Sequence, residues 1–448
     1  MGQPQRLHCM ENGDTLMSKK KVLLIGPFVN ISGYSDHARL MADALLAQED
    51  KFEVYMLCTQ WARSSSDSRF GARYESILRK THQYMNELNQ AQTPINTVFD
   101  CSLQVRPPNE FEKITNYDIG VTAALETTKA PTEWIDKCNM MSKLLVVSSH
   151  SKKNLENAKD PQTGQTITTP IDVIPFYNTI TEPEDHFSAY NEIDTSLNFL
   201  TVSQLAPRKN FYNLVKWFCE EFKDNEDVGL IVKMHHMNNS TLDRHYVRNR
   251  VQQILMETGL SDKKCKIHLL HGNLSEKEMR SLYQKDFIKG YITTTHGEGF
   301  GVPLFNAVCA DIPVLAPAWS GHLDFLSAPY TNETSGKSKV KNLFLKAKFN
   351  IEPVKEKHLM PGLITKECEW CYVEEDSFKK NLQSLLKSQP LHQKNAEVLG
   401  EHIRTTFSKD NVFEKCVNSL NDVPVSAAPT KTFEIEVNNM FDAISGNK

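Results

Sequence analysis

Between Thr295 and Phe325 the chain reads THGEGFGVPLFNAVCADIPVLAPAWSGHLDF. Gly297, Gly299 and Gly301 alternate with Glu298 and Phe300, Val302 follows, and Pro303 stands where a first helical turn should begin. Glycines let the backbone approach a ligand closely, and a helix starting there offers unpaired N–H groups and a positive dipole end to a phosphate. Glu298, at the same rim, can accept hydrogen bonds from sugar hydroxyls, so the stretch describes a site for a phosphorylated sugar. Earlier, in VSQLAPRKNF, Arg208 and Lys209 precede a helix whose face carries Phe211, Leu214, Val215, Phe218 and Phe222. Cations at a helix start are unfavourable unless an anion joins them. Glu126 ends a run of strand character, where an acid can orient a hydroxyl or take its proton.

The elements that must position these residues alternate. Val22 to Phe28 is a continuous apolar run ending in Gly-Pro, as in a strand buried on both faces of a parallel sheet. A loop with Gly33 and Tyr34 follows, then Ala38, Met41, Ala42, Leu45 and Leu46 at helical spacing. Further strands are expected at Phe52–Leu57, Asn96–Cys101, Asp118–Ala124, Lys143–Ser149 and Ile171–Tyr177. The alternation stops in the acidic stretch 178–197 and restarts at Asn198–Leu205, Val228–His235, Lys266–His271, Gly290–Thr295 and Pro313–Ala318. Ser275 and Glu278 form a capping box for one intervening helix. The expected fold class is therefore α/β, with two Rossmann-like doubly wound domains facing a cleft where a ligand binds. Beyond about Ala328 the chain is less regular. The boundaries are a flexible N-terminus at 1–17, a first domain at 18–180, a linker at 181–197, a second domain at 198–400, and a C-terminal helix plus tail at 401–448.

Composition excludes several classes. Across 448 residues, 51 Lys and Arg against 55 Asp and Glu leave a net charge of −4, which argues against a generic polyanion binder. No run of about 18 apolar residues is present, and the first 16 residues lack a secretory apolar stretch, so a cytoplasmic location is expected. The ten cysteines are scattered. Cys368 and Cys371 have no second ligand pair, so no zinc site is expected.

The stretch containing Glu298 resembles the signature of retaining GT-B glycosyltransferases of the group 1, or family 4, type, which reads E-G-F-G-x-P followed by a second Glu. Asn306 occupies that second position here. VSQLAPRKNF resembles the family's segment in which a basic pair meets the nucleotide diphosphate, and ETTKAPTEW with the later Ser148-Ser149 turn resembles a subgroup pattern. SGYSDHAR and VIPFYN add to the likeness, and Trp370 with the TTFSKDNV helix resembles the family's return segment, which implies that the helix within 401–448 crosses back to the first domain. The resemblance implies transfer of a hexose or pentose from a UDP-, GDP- or similar nucleotide sugar to an acceptor hydroxyl, with retention and without a metal or other cofactor. It implies catalytic roles for Glu126, Arg208, Lys209 and Glu298, and donor contacts from Gly33, Ser203, Arg208, Lys209, Gly297, Glu298, Gly299, Phe300, Gly301, Val302 and Asn306. Acceptor contacts would fall to Tyr34, Glu126 and Trp134. The acceptor would be a glycan, a lipid-linked glycan or a hydroxylated base in nucleic acid. The locally basic stretch Trp61–Lys80 is either a solvated helix face, the favoured reading, or a surface for a polyanionic acceptor. A sugar-nucleotide epimerase and a non-catalytic GT-B partner protein are the alternatives on this scaffold.

Overall fold

The computed structural model describes residues 19–61, 66–179, 193–331 and 338–424. The expected N-terminal segment, most of the expected linker and the tail beyond Pro424 lie outside the described residues. The first half runs β1 (Lys20–Gly26), α1 (Gly33–Leu46), β2 (Phe52–Cys58), α2 (Ser68–Gln90), β3 (Cys101–Val105), β4 (Asp118–Thr122), α3 (Trp134–Asn139), β5 (Lys143–Val146), α4 (Ser149–Glu156) and β6 (Ile171–Val173). These strands form one parallel sheet in the order β2-β1-β3-β4-β5-β6. Val22, Leu23, Leu24 and Ile25 are at most 1% exposed, which is why β1 shows no polar alternation: both of its faces are covered.

The second half continues with β7 (Leu197–Gln204), α5 (Phe211–Glu221), β8 (Val228–His235), α6 (Thr241–Glu257), β9 (Lys266–Leu270), α7 (Glu276–Tyr283), β10 (Ile288–Ile292), α8 (Val302–Cys309) and β11 (Val314–Pro317). After a hairpin of β12 (Ser327–Thr331) and β13 (Ser338–Asn342), β14 (Leu345–Ala347) completes a second parallel sheet, β14-β11-β10-β7-β8-β9. A second hairpin, β15 (Phe349–Pro353) with β16 (Glu369–Val373), precedes α9 (Glu375–Lys387), α10 (Gln389–Thr406) and α11 (Lys409–Asn418). α10 packs on α8, whereas α11 crosses back to pack on α1.

Three expectations need correction. Asn96–Cys101 is not a strand: a short 3-10 turn at Ile95–Thr97 follows Pro94, whose carbonyl takes the Thr97 hydroxyl, and β3 begins only at Cys101. β10 ends at Ile292, because the hydroxyls of Thr294 and Thr295 leave the sheet direction to bond loop carbonyls. The region beyond Ala328, expected to be irregular, holds both hairpins. The capping box at Ser275 and Glu278 is present. Cys368 and Cys371 are buried thiols, and no cluster of three or more His, Cys, Asp or Glu suited to a metal occurs among the described residues. No helix among them is long and apolar enough to cross a membrane.

Candidate active site

In both sheets every strand is parallel, so the loops that follow the carboxyl ends of the strands gather on one rim of each sheet. The strand order of the second sheet reverses between β7 and β10, and the crevice at such a reversal is where open α/β sheets bind ligands. Arg208 and Lys209 follow β7; Gly297 to Gly301 follow β10. The two loops are fastened together. His296 donates its backbone N–H to the Arg208 carbonyl at 2.8 Å, while Asn210 and Thr294 exchange side-chain bonds with each other's carbonyls. Asn210 takes a left-handed conformation, φ 51°, which Asn tolerates better than most residues.

Three charged side chains meet at this crevice. Lys209 Nζ lies 2.7 Å from both carboxylate oxygens of Glu298, and Arg208 Nη1 lies 3.3 Å from one of them. Arg208 also donates to the Gly297 carbonyl. Its other terminal nitrogen reaches Glu126 Oε1 in the first half, at 3.0 Å. The sequence reading expected two cations awaiting an anion; instead each already has a carboxylate, because charges this far from water need a compensating partner. Burial opposes the charge of Glu298, but Lys209 and Arg208 overcome it and hold the carboxyl down at about 2. Burial and the neighbouring Arg208 push the Lys209 ammonium down, against the pull of Glu298. For Arg208 burial is outweighed by Glu126 and Glu298, and its pKa is raised.

The glycine loop is clamped from both halves. Glu298 donates its N–H to the Ser320 hydroxyl and accepts from Gly321 N–H, both at 2.9 Å. A Cβ at Gly321 would stand 1.8 Å from the Gly299 carbonyl oxygen, so only glycine lets the two loops lie this close. Across the seam, the Ser148 hydroxyl donates to the same Gly299 carbonyl at 2.5 Å. A Cβ on Gly297 would meet Trp319 at 2.7 Å and Glu126 at 3.0 Å. Gly301, φ 94°, is the N-cap of α8, and no side chain caps the helix. The first-turn amides of α8 are left for a ligand.

Other expected site residues are placed as follows. Val302 opens α8, and Asn306 lies further along it, half-buried, with no side-chain hydrogen bond to a described residue. Ser203 is half-buried near the end of β7. Gly33 is exposed at the start of α1, with open space around it. The Tyr34 hydroxyl is 2.8 Å from Thr122 Oγ1 at the end of β4 and accepts from Ala123 N–H, and burial pushes it up to about 12. Its ring stacks on Trp61 at 4.1 Å. Tyr34 therefore braces the strand end from which the Glu126 loop departs, a loop that includes Ala124 at φ 53°. Two placements are corrections. Trp134, expected to meet an acceptor, is 0% exposed within an apolar cluster and donates its indole N–H to the Gly362 carbonyl. Phe300, expected to touch the donor, turns its ring into the core among Phe176, Phe305, Phe325 and Phe407, so that only its main chain stays in the glycine loop. Both are large apolar rings, and the core is where burial places them.

Three further residues, Asp324, His296 and His150, brace the site. Asp324 accepts from Ser149 N–H at 2.7 Å and so caps α4 of the opposite half. The His296 ring stacks on Trp370 at 5.1 Å, and its Nδ1 lies 2.6 Å from the Cys371 carbonyl oxygen. Burial lowers its pKa to about 4, so it is neutral at pH 7 and ties the Arg208 loop to the β15–β16 hairpin. His150 sets its ring edge-on to Trp319 at 4.9 Å, with a buried Nε2 that has no hydrogen-bond partner among the described residues. His296 and Asp324 lie within the Thr295–Phe325 stretch, and His150 follows the Ser148-Ser149 turn, but neither pattern marks a contact between the halves.

No family model matches the sequence, and none of the curated proteins does. Solved structures do. Sucrose-phosphate synthase from Thermosynechococcus elongatus aligns with a TM-score of 0.57 over 90% of this chain and 98% of its own, at 11% identity. HepE from Anabaena, solved with UDP and glucose, aligns with a TM-score of 0.55 over 90% and 99%, at 12% identity. The fold is GT-B. At such identities the likeness to these GT-B structures concerns architecture alone. The chain spans 55% of the S. aureus TarM chain and aligns with it at a TM-score of only 0.47, which carries no argument. The two Rossmann-like sheets of the GT-B fold account for the crevice between them and for the gathering of Glu126, Arg208 and Glu298 at its rim.

Proposed function

We propose that this protein is a glycosyltransferase that moves a hexose or pentose from a nucleotide sugar to an acceptor hydroxyl, with retention of configuration. The observation that carries the reading is the Arg208–Lys209–Glu298 cluster beside the uncapped start of α8, at the strand-order reversal of a GT-B fold. A UDP-hexose is the favoured donor, since HepE of the same fold has been solved with UDP-glucose. The diphosphate would displace Glu126 from Arg208 and lie against Lys209, Gly299 to Gly301 and the first amides of α8. Fixed positive charge of this kind stabilises a departing diphosphate without needing a metal. Glu298, ionised at every working pH, has both oxygens on Lys209, yet its remaining lone pairs can still receive donor-sugar hydroxyls. Glu126, once released from Arg208, would face the acceptor hydroxyl.

Thermal melting with a panel of UDP-, GDP-, ADP- and TDP-sugars tests the reading, because a donor that binds only the folded chain raises the melting temperature by mass action. One nucleotide class should raise it, and Lys209→Ala should abolish the rise. If none of the four stabilises the protein, the transferase reading is withdrawn. Asn306 in place of an acid favours a second reading, a donor-binding GT-B protein without turnover. Release of free sugar or a transfer product from the bound donor would rule that out.

A further inference from the structure

The outer edge of the second sheet carries a groove that this chemistry does not use. β9 is the last strand of its sheet; β8 satisfies one side, and no described residue completes the backbone ladder on the other. α6 runs alongside, and between them lies a groove of about 360 Å3 whose lining includes Arg244, Arg248, Lys263, Leu255, Ile267 and Leu269. That is the size of an ordinary ligand site, about 300–1,000 Å3. The lining holds three cations and no carboxylate. Neither Arg244 nor Arg248 has an ion pair or side-chain hydrogen bond with any described residue; Lys263 Nζ takes only the Cys265 carbonyl, at 2.8 Å. On the opposite face of the strand the one lysine is matched: Lys266 lies 3.5 Å from Asp194. The uncompensated charge is thus confined to the groove side.

We propose that this groove docks an extended acidic peptide segment of a partner protein, which adds to β9 as an edge strand and sets alternate carboxylates on Arg244 and Arg248. A free strand edge offers main-chain donors and acceptors to an extended chain, and alternate side chains then determine specificity. Arg244 and Arg248 are one helical turn apart, about 6 Å along α6. Side chains on one face of a strand recur every two residues, about 6.8 Å. A peptide with an acid at every second position therefore meets both guanidiniums in register, with its main chain beside half-buried Ile267 and Leu269. A single-stranded nucleic acid would also supply negative charge, but it binds by stacking bases on aromatic rings, and the groove lining has none.

The test uses the full chain and a fluorescein-labelled (Glu-Val)4 peptide, read by anisotropy, with amide hydrogen exchange measured in parallel. The expected result is saturable binding, slowed exchange at residues 266–270, no binding of (Lys-Val)4, and at least about 10-fold weaker binding to the Arg244→Glu/Arg248→Glu double variant. Both positions are exposed, so the variant should fold, and an unchanged melting temperature checks that it has. Absence of (Glu-Val)4 binding, equal affinity for the double variant, unslowed exchange in β9, or tighter binding of the oligonucleotide dT8 would each overturn the proposal. None of these outcomes depends on which sugar the protein transfers.

Discussion

Lys209 is the residue on which the chemistry turns most directly. Its ammonium is buried, pushed toward neutrality by burial and by Arg208, and held charged chiefly by Glu298, with a smaller pull from Glu126. Replacing it with Ala is expected to lower turnover by at least about 100-fold, the scale of losing one charge contact in a transition state. Steady-state kinetics should show the loss in kcat rather than only in KM. Glu298 gives a second prediction. Its carboxyl is held at about 2 in the folded chain against an ordinary 4.5, so its ionisation stabilises the fold above pH 4.5, and this contribution is lost as pH falls from about 4.5 toward 2. Glu298→Gln should therefore unfold at lower urea than wild type at pH 7, and the gap should narrow by pH 3. The gap will be moderated because the same cluster holds Lys209 charged against its burial. At this scale the sequence showed the cluster's membership but not its pairing. That Arg208 bridges to Glu126 depends on how two separate sheets approach, which no local pattern encodes. An aromatic ring within a motif, such as Trp134 or Phe300, reads the same whether it faces a cleft or a core.

Among the elements, strands with a continuous apolar run bounded by turn residues were the most legible. β8 spans the residues expected of it, Val228–His235, and seven of these eight are buried. The hairpins escaped notice because their strands are short and polar: SKVKN in β13 and FNIEP in β15 carry neither a continuous apolar run nor a turn signal strong enough to mark them. The glycine loop after β10 shows how an element serves the site through what it lacks. Gly297→Ala would place a methyl group 2.7 Å from Trp319 and 3.0 Å from Glu126, on the opposite half, while leaving both sheets untouched. Turnover should fall by about 10-fold or more as the halves are wedged apart. Urea unfolding should shift by no more than the 1–3 kcal/mol typical of overpacking. A variant with full turnover would mean that this seam is not the working geometry.

For the whole molecule, the two-sheet architecture followed from alternation alone, whereas the return of the last helix to the first half followed from the family likeness of the TTFSKDNV segment. α11 packs on α1, Lys20 Nζ reaches the Leu420 carbonyl at 2.8 Å, and Lys143 pairs with Asp422 at 2.9 Å. The Asn178 N–H also bonds the Phe407 carbonyl. The protein chain therefore passes between its halves at least twice, and residues past Ser408 belong physically to the half that contains the first strand. A protease site engineered within residues 181–192 should, after cleavage, yield two bands on a denaturing gel but one peak on gel filtration. Two separate peaks would contradict this topology. The consequence reaches anyone dividing the gene: a truncated piece begun at Asn198 and carried to residue 424 would present α11 stripped of its mate, an orphaned greasy helix. Val412, Cys416 and Val417, now sheltered, would be laid bare to clump. The cleaner split is a stop ahead of Ser408, with α11 restored to the other piece as a separate strand of peptide.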